Sequence, residues 1–174
     1  IIGNCAFLAL VDSYANVGWM CWPRFDSSFV FGTLLDKEKG GSFSVTPEKE
    51  ILENSQQYVR NTNILETHFT CADGSFKVVD FAPRFFQNER AYKPLMLFRK
   101  IVPTEGRPRI SVSCQPRGEY GEFIPTKTFG SSHIRYEGLP DHLRLTTDIP
   151  LSFVDQEQAF VLNETKYLVL SWGV

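Results

Sequence analysis

A chain of 174 residues suffices for one well-buried domain and not comfortably for two. Its 43% hydrophobic and 22% charged residues are ordinary for a soluble globular protein, while 15 Phe, 6 Tyr and 3 Trp against 10 Pro and 12 Gly favour strands over helices. A net charge of -2 gives no electrostatic reason to expect nucleic acid, whose binding needs a concentrated basic surface, and no apolar run approaches the roughly 20 residues of a membrane span.

In chain order, the first element signal follows Ser27-Ser28. Phe29–Leu35 places Phe31, Leu34 and Leu35 on one side of a short helix or 3₁₀ turn, closed by Asp36-Lys37-Glu38-Lys39 and Gly40-Gly41. Glu48–Glu53 is read as a further helical turn. The segment Leu65–Cys71 then alternates with a period of two, so that Leu65, Phe69 and Cys71 share one strand face while Glu66, His68 and Thr70 share the other. Asp73-Gly74 supplies the positive φ angles of a tight hairpin, and Phe76–Phe81 returns antiparallel.

Short strands are predicted over Leu95–Val102, Ile110–Cys114, Ile134–Tyr136, Leu143–Thr146 and Ala159–Leu162, separated by Gly, Pro and Asp turns. Tyr167–Trp172 is apolar on both faces, which predicts either a central strand or one covered by a missing neighbour. Regular short strands imply a sandwich or barrel.

The cysteines, Cys5, Cys21, Cys71 and Cys114, show no C-x-x-C pair and no nearby His set. That argues against a zinc site and a dense disulfide framework, and for reduced, buried thiols in a cytoplasmic protein. His68, His133 and His142 lack metal-ligand spacing, so no metal or cofactor is expected. The chain opens Ile1-Ile2-Gly3 without Met and ends in an apolar run, so both ends are expected to lie inside a longer protein. A leader peptide upstream, and hence secretion, stays open.

The run Leu10-Val11, Gly18–Ser27 (GWMCWPRFDS), Phe31, Leu34-Leu35-Asp36 and Lys39–Phe43 resembles the opening of trehalase-like and bacterial glucoamylase-like members of glycoside hydrolase family 15. Tyr58, Asn63–Thr67, Asp73-Gly74, Asp80–Pro83 and Arg117–Gly121 (RGEYG) continue the resemblance in order. Two features depart from it: Ser13–Asn16 replaces the usual aspartate-glycine turn, and Gly18 replaces an acidic residue.

The resemblance implies an all-β fold, an antiparallel β-sandwich of super-sandwich type with one or two short helical turns. Residues 1–174 would form a single N-terminal domain, accessory to an α/α-barrel that carries the catalytic glutamates of an inverting α-glucoside hydrolase. In such enzymes an acid and a base stand about 6.5–9.5 Å apart. None of the matched motifs corresponds to those glutamates, so no catalytic residue is assigned to this chain. Its expected partners are that barrel and α-linked glucosides.

Within the chain, Trp22, Arg24 and Asp26 are the candidate substrate-binding residues. Aromatic faces stack on sugar rings, Arg forms paired hydrogen bonds and Asp accepts from hydroxyls. The structural alternative has Trp19 and Phe25 filling the core while an Arg24–Asp26 pair fixes a turn or the domain interface. Asp80 and Asp148 are read as turn-capping carboxylates, and Asn163-Glu164-Thr165 as a turn. A second functional class is a stand-alone carbohydrate-binding or interaction sandwich, with Trp19, Trp22 or Trp172 as its stacking platform.

Overall fold

The computed structural model describes residues 1–173. In chain order the strands are β1 (Ile2–Gly3), β2 (Leu8–Val11), β3 (Val17–Cys21), β4 (Phe29–Phe31), β5 (Phe43–Pro47), β6 (Ile51–Tyr58), β7 (Leu65–Cys71), β8 (Gly74–Phe81) and β9 (Phe85–Gln87). They continue as β10 (Arg90–Tyr92), β11 (Met96–Gly106), β12 (Arg109–Cys114), β13 (Thr126–Phe129), β14 (His133–Glu137), β15 (Leu143–Thr147), β16 (Phe160–Val161) and β17 (Lys166–Trp172).

Two antiparallel sheets pack face to face, as expected. One runs β1-β2-β3-β5-β12-β16, with β4 paired to β3; the other runs β13-β14-β15-β17-β11-β8-β7-β6. The β9–β10 hairpin stands apart from both. Alternating burial along β7, β8, β11, β12 and β15 shows why these segments are strands: every second side chain enters one shared core. Phe69 and Phe76 stack across the β7–β8 pair at 4.8 Å in that core.

The helical expectations are corrected. Phe29, Val30 and Phe31 are all buried in β4 on the edge of β3, where aromatic and β-branched residues gain a strand partner, and Leu34 and Leu35 are 66% and 70% exposed. Glu48–Glu53 forms the turn out of β5 and the start of β6. The helical turns fall elsewhere, at α1 (Leu151–Asp155) and in a 3₁₀ turn at Glu119–Gly121. Among the described residues no helix is long and apolar enough to cross a membrane.

The hairpin between β7 and β8 pairs Cys71 with Gly74, so its loop residues are Ala72 and Asp73. Of Asp73 and Gly74 only Gly74 has a positive φ, +153°, and a Cβ there would lie 2.5 Å from the Glu105 carbonyl. Gly41 meets a similar demand at φ +68°, with a Cβ position 2.1 Å from the Gln115 carbonyl. The apolar segment Tyr167–Trp172 is a central strand, held between β11 and β15.

Asp80 does not cap a turn. It lies on the same face of β8 as Phe76 and Val78, is fully buried, and receives both arms of the Arg99 guanidinium. Asp148 lies in the bend after β15 but ties it to β17, its Oδ1 accepting from the Tyr167 N–H at 2.8 Å, while the bend itself is capped by Thr147 Oγ1, which accepts from the Ile149 N–H at 3.1 Å. Asn163-Glu164-Thr165 also lies in the loop before β17.

Candidate functional site

Three connections at one end of the sandwich enclose a cleft of about 580 Å³. They are the loop from Trp22 to Val30 after β3, the segment Arg117–Phe123 after β12, and Gly138–Pro140 between β14 and β15; Trp172 at the end of β17 completes the wall.

The first loop leaves β3 through a cis Trp22–Pro23 peptide bond. Trp22 is only 2% exposed, packed edge-on against Phe7 at 5.1 Å and tilted against Trp172 at 6.3 Å. Its indole Nε1 is buried without an acceptor among the described residues. Beyond it a tight turn places Arg24 and Asp26 in solvent, the guanidinium donating from Nε to Oδ1 at 2.9 Å and from Nη2 to Oδ2 at 3.1 Å. Their side chains are 76% and 70% exposed, as expected for a charged pair that stays hydrated.

The candidate residues therefore separate. Trp22 belongs to the cleft wall and the core, whereas Arg24 and Asp26 face away into solvent and pair with each other. Trp19 is half-buried against Phe29 at 5.6 Å, and Phe25 is 56% exposed. The core position expected for Trp19 and Phe25 is taken by Trp22 because the chain turns inward at Trp22 before looping out. Cys21, next to it, has its thiol pushed up by burial.

The second wall comes from the Arg117–Gly121 motif. Glu119 and Tyr120 both adopt left-handed backbone angles, φ +48° and +56°, unusual for two consecutive non-glycine residues. The turn is held by the Tyr120 N–H donating to Ser28 Oγ at 2.8 Å, and it sets the 66%-exposed Tyr120 ring edge-on to Phe29 at 6.3 Å. Gly118 lets the third loop close, since a Cβ there would stand 2.8 Å from Leu139 Cδ2. The motif was visible in the sequence; its meeting with the Trp22 loop was not, because 92 residues separate Ser28 from Tyr120 along the chain.

Chemically the cleft is an apolar surface with few free polar groups. Glu119 is the only carboxylate among the residues that line it, where glycoside inversion uses two. Among the described residues no three His, Cys, Asp or Glu side chains converge as a metal site. His68 sits on the outer face of β7 as expected, with Glu66 Oε2 3.2 Å from its Nε2.

Comparison with known proteins locates the chain. A family model described as trehalase-like, N-terminal, matches residues 1–153. Trehalase 1 of Sulfolobus acidocaldarius is 42% identical over 59% of this chain and 18% of its own length. The trehalase of Mycolicibacterium smegmatis is 26% identical over 99% of this chain and 29% of its own length, and that of Thermoplasma volcanium 30% identical over 71% and 20%. The chain thus spans between 12% and 30% of the length of the curated relatives it matches. No solved structure matches it.

Proposed function

Because the chain belongs to the trehalase-like N-terminal domain family, we propose that it is the accessory domain of an inverting α-glucoside hydrolase of glycoside hydrolase family 15, acting on trehalose or a related glucoside. The observation that carries this reading is the match along residues 1–153 to a domain that makes up under a third of each trehalase compared. The domain packs on a separate α/α-barrel and shapes the face where sugar enters; the barrel supplies the acid and base carboxylates. On this reading Arg24 and Asp26, presented in solvent beside the cleft, are the loop residues available to sugar hydroxyls, and Trp22 anchors the loop that carries them.

Stand-alone carbohydrate binding is less well supported. Sugar stacking needs an accessible aromatic face; Trp22 and Trp172 are 2% and 7% exposed, and Trp19 is half-buried with its ring 5.6 Å from that of Phe29. Calorimetric titration of the chain with trehalose, maltose and isomaltose separates the two readings. The accessory reading expects no heat from the chain and release of inverted glucose from trehalose by the longer polypeptide. Millimolar or tighter binding by the chain alone would favour the second reading.

A further inference from the structure

β6 ends the eight-stranded sheet, and its outer edge is open. The strand is eight residues long, against four for β13 at the other end, and every residue from Ser55 to Tyr58 is exposed. Its ladder to β7 fixes which main-chain groups face outward. The Val59 N–H donates to the Ile64 carbonyl at 2.9 Å, and past the bulge between Ile51 and Glu53 the register runs unbroken from Glu53 to Tyr58. Bonding residues alternate along an antiparallel ladder. Glu53, Ser55 and Gln57 therefore bond to β7, while the N–H and C=O groups of Asn54, Gln56 and Tyr58 point away from it. Among the described residues those groups have no partner.

The same residues hold the edge in place. Asn54 Nδ2 donates to the Ser13 carbonyl, Gln56 Nε2 to the Asp12 carbonyl and the Tyr58 hydroxyl to the Ile1 carbonyl, each at 2.7 Å. These side chains pin β6 to segments flanking β1 and β2 of the facing sheet, so the edge is ordered in advance and loses little freedom on pairing. A charge, a proline or a bulge normally blunts such an edge. Residues 54–59, Asn-Ser-Gln-Gln-Tyr-Val, carry none of them.

The partner this edge fits is a second copy of itself. Antiparallel pairing about a two-fold axis at Gln56 sets Gln56 against Gln56 of the second copy, and Asn54 against its Tyr58, so all the outward residues exchange both of their main-chain bonds. An axis at Ser55 would set Tyr58 against Leu52 in the bulge, and one at Gln57 would set Asn54 against Arg60 in the turn. With the axis at Gln56, Glu53 faces Val59 of the second copy. The exposed Arg60 of one chain then comes beside the exposed Glu53 of the other, and opposite charges meet at both ends of the paired segment.

We infer that β6 is a self-association edge, joining the eight-stranded sheets of two chains into one continuous antiparallel sheet. The inference is independent of the accessory-domain reading above.

Sedimentation equilibrium of the longer polypeptide carrying this domain, over about 1–100 µM, is expected to show a monomer–dimer equilibrium. A monomer throughout that range overturns the inference. Gln56→Pro removes an outward N–H that β7 does not use and should weaken association at least about tenfold; a dimer of undiminished strength overturns it. Cross-linking gives a second test that does not depend on how that variant folds. In a Cys5→Ser background, which removes the exposed thiol, Ser55→Cys and Gln57→Cys chains are mixed and mildly oxidised. The two positions face each other at a non-bonded pair with Cα atoms about 4.5 Å apart, within disulfide reach. The mixture should give disulfide-linked dimer about tenfold faster than Ser55→Cys alone or Thr128→Cys on the exposed face of β13. Equal rates overturn the inference.

Discussion

Arg99 and Asp80 form a buried fork between adjacent strands, Nε to Oδ1 at 2.8 Å and Nη2 to Oδ2 at 3.1 Å, with both side chains at 0% exposure. The same guanidinium reaches across the sandwich, donating to the carbonyls of Phe43 and Ala15 and standing 4.8 Å over the Phe43 ring. Arg99 thus ties the two sheets together, with its charge balanced by Asp80. Asp80→Asn leaves that charge unpaired in the core and is expected to cost about 3–5 kcal/mol. Urea unfolding followed by tryptophan fluorescence measures it; a loss below about 1 kcal/mol would show that the pair is not closed in solution.

Glu66 on β7 gives the fold an acid-sensitive contact. Its carboxylate accepts from Lys77 Nζ at 2.8 Å, and this bond, ahead of the weaker pull of His68, holds its pKa below the ordinary 4.5. A folded pKa below the unfolded one contributes stability that is present above pH 4.5 and fades as pH falls through the folded value. Urea midpoints measured downward from neutral pH should therefore fall less steeply below pH 4.5 in Glu66→Gln than in the parent. Parallel curves would rule out the contact as a source of acid sensitivity.

The thiols should divide one against three. Cys21, Cys71 and Cys114 are buried and Cys5 is exposed; burial pushes Cys114 up to about 12. Since the thiolate is the nucleophile, iodoacetamide at neutral pH is expected to modify Cys5 alone in the folded chain and all four after denaturation. Rapid modification of Cys114 under native conditions would contradict the packing described for β12.

Arg24→Ala should leave stability almost untouched, within about 0.5 kcal/mol, because its fork with Asp26 is solvated on both sides. If Arg24 meets the glucoside in the longer polypeptide, kcat/KM falls while the melting temperature holds. Unchanged kinetics together with a lowered melting temperature would assign Arg24 to structure instead.

Much of the sandwich was legible because a half-buried strand writes its period into the sequence. Leu65–Cys71, Phe76–Phe81 and Ile110–Cys114 all reappear as strands. The same rule, carried two residues further, marks Asp80 as core-facing after Phe76 and Val78, and Arg99 as core-facing between Leu97 and Ile101. Charge at those positions obscured the pattern and made a turn role look natural. The short run Phe29–Phe31 carried no period at all, so helix and strand could not be told apart until β3 supplied its hydrogen-bonding edge.

By itself the sequence determined the all-β class, eight of the seventeen strand positions and, through motifs spread along the chain, the family. Tertiary structure alone decided that Trp22 turns inward while Arg24 and Asp26 stay outside, that Glu119 and Tyr120 face the Trp22 loop across the cleft, and that Arg99 finds Asp80. Alternation is a local property set by the pleat, whereas these meetings depend on which strands lie side by side. That order is settled only when the whole core closes, bringing together residues as far apart as Trp22 and Trp172.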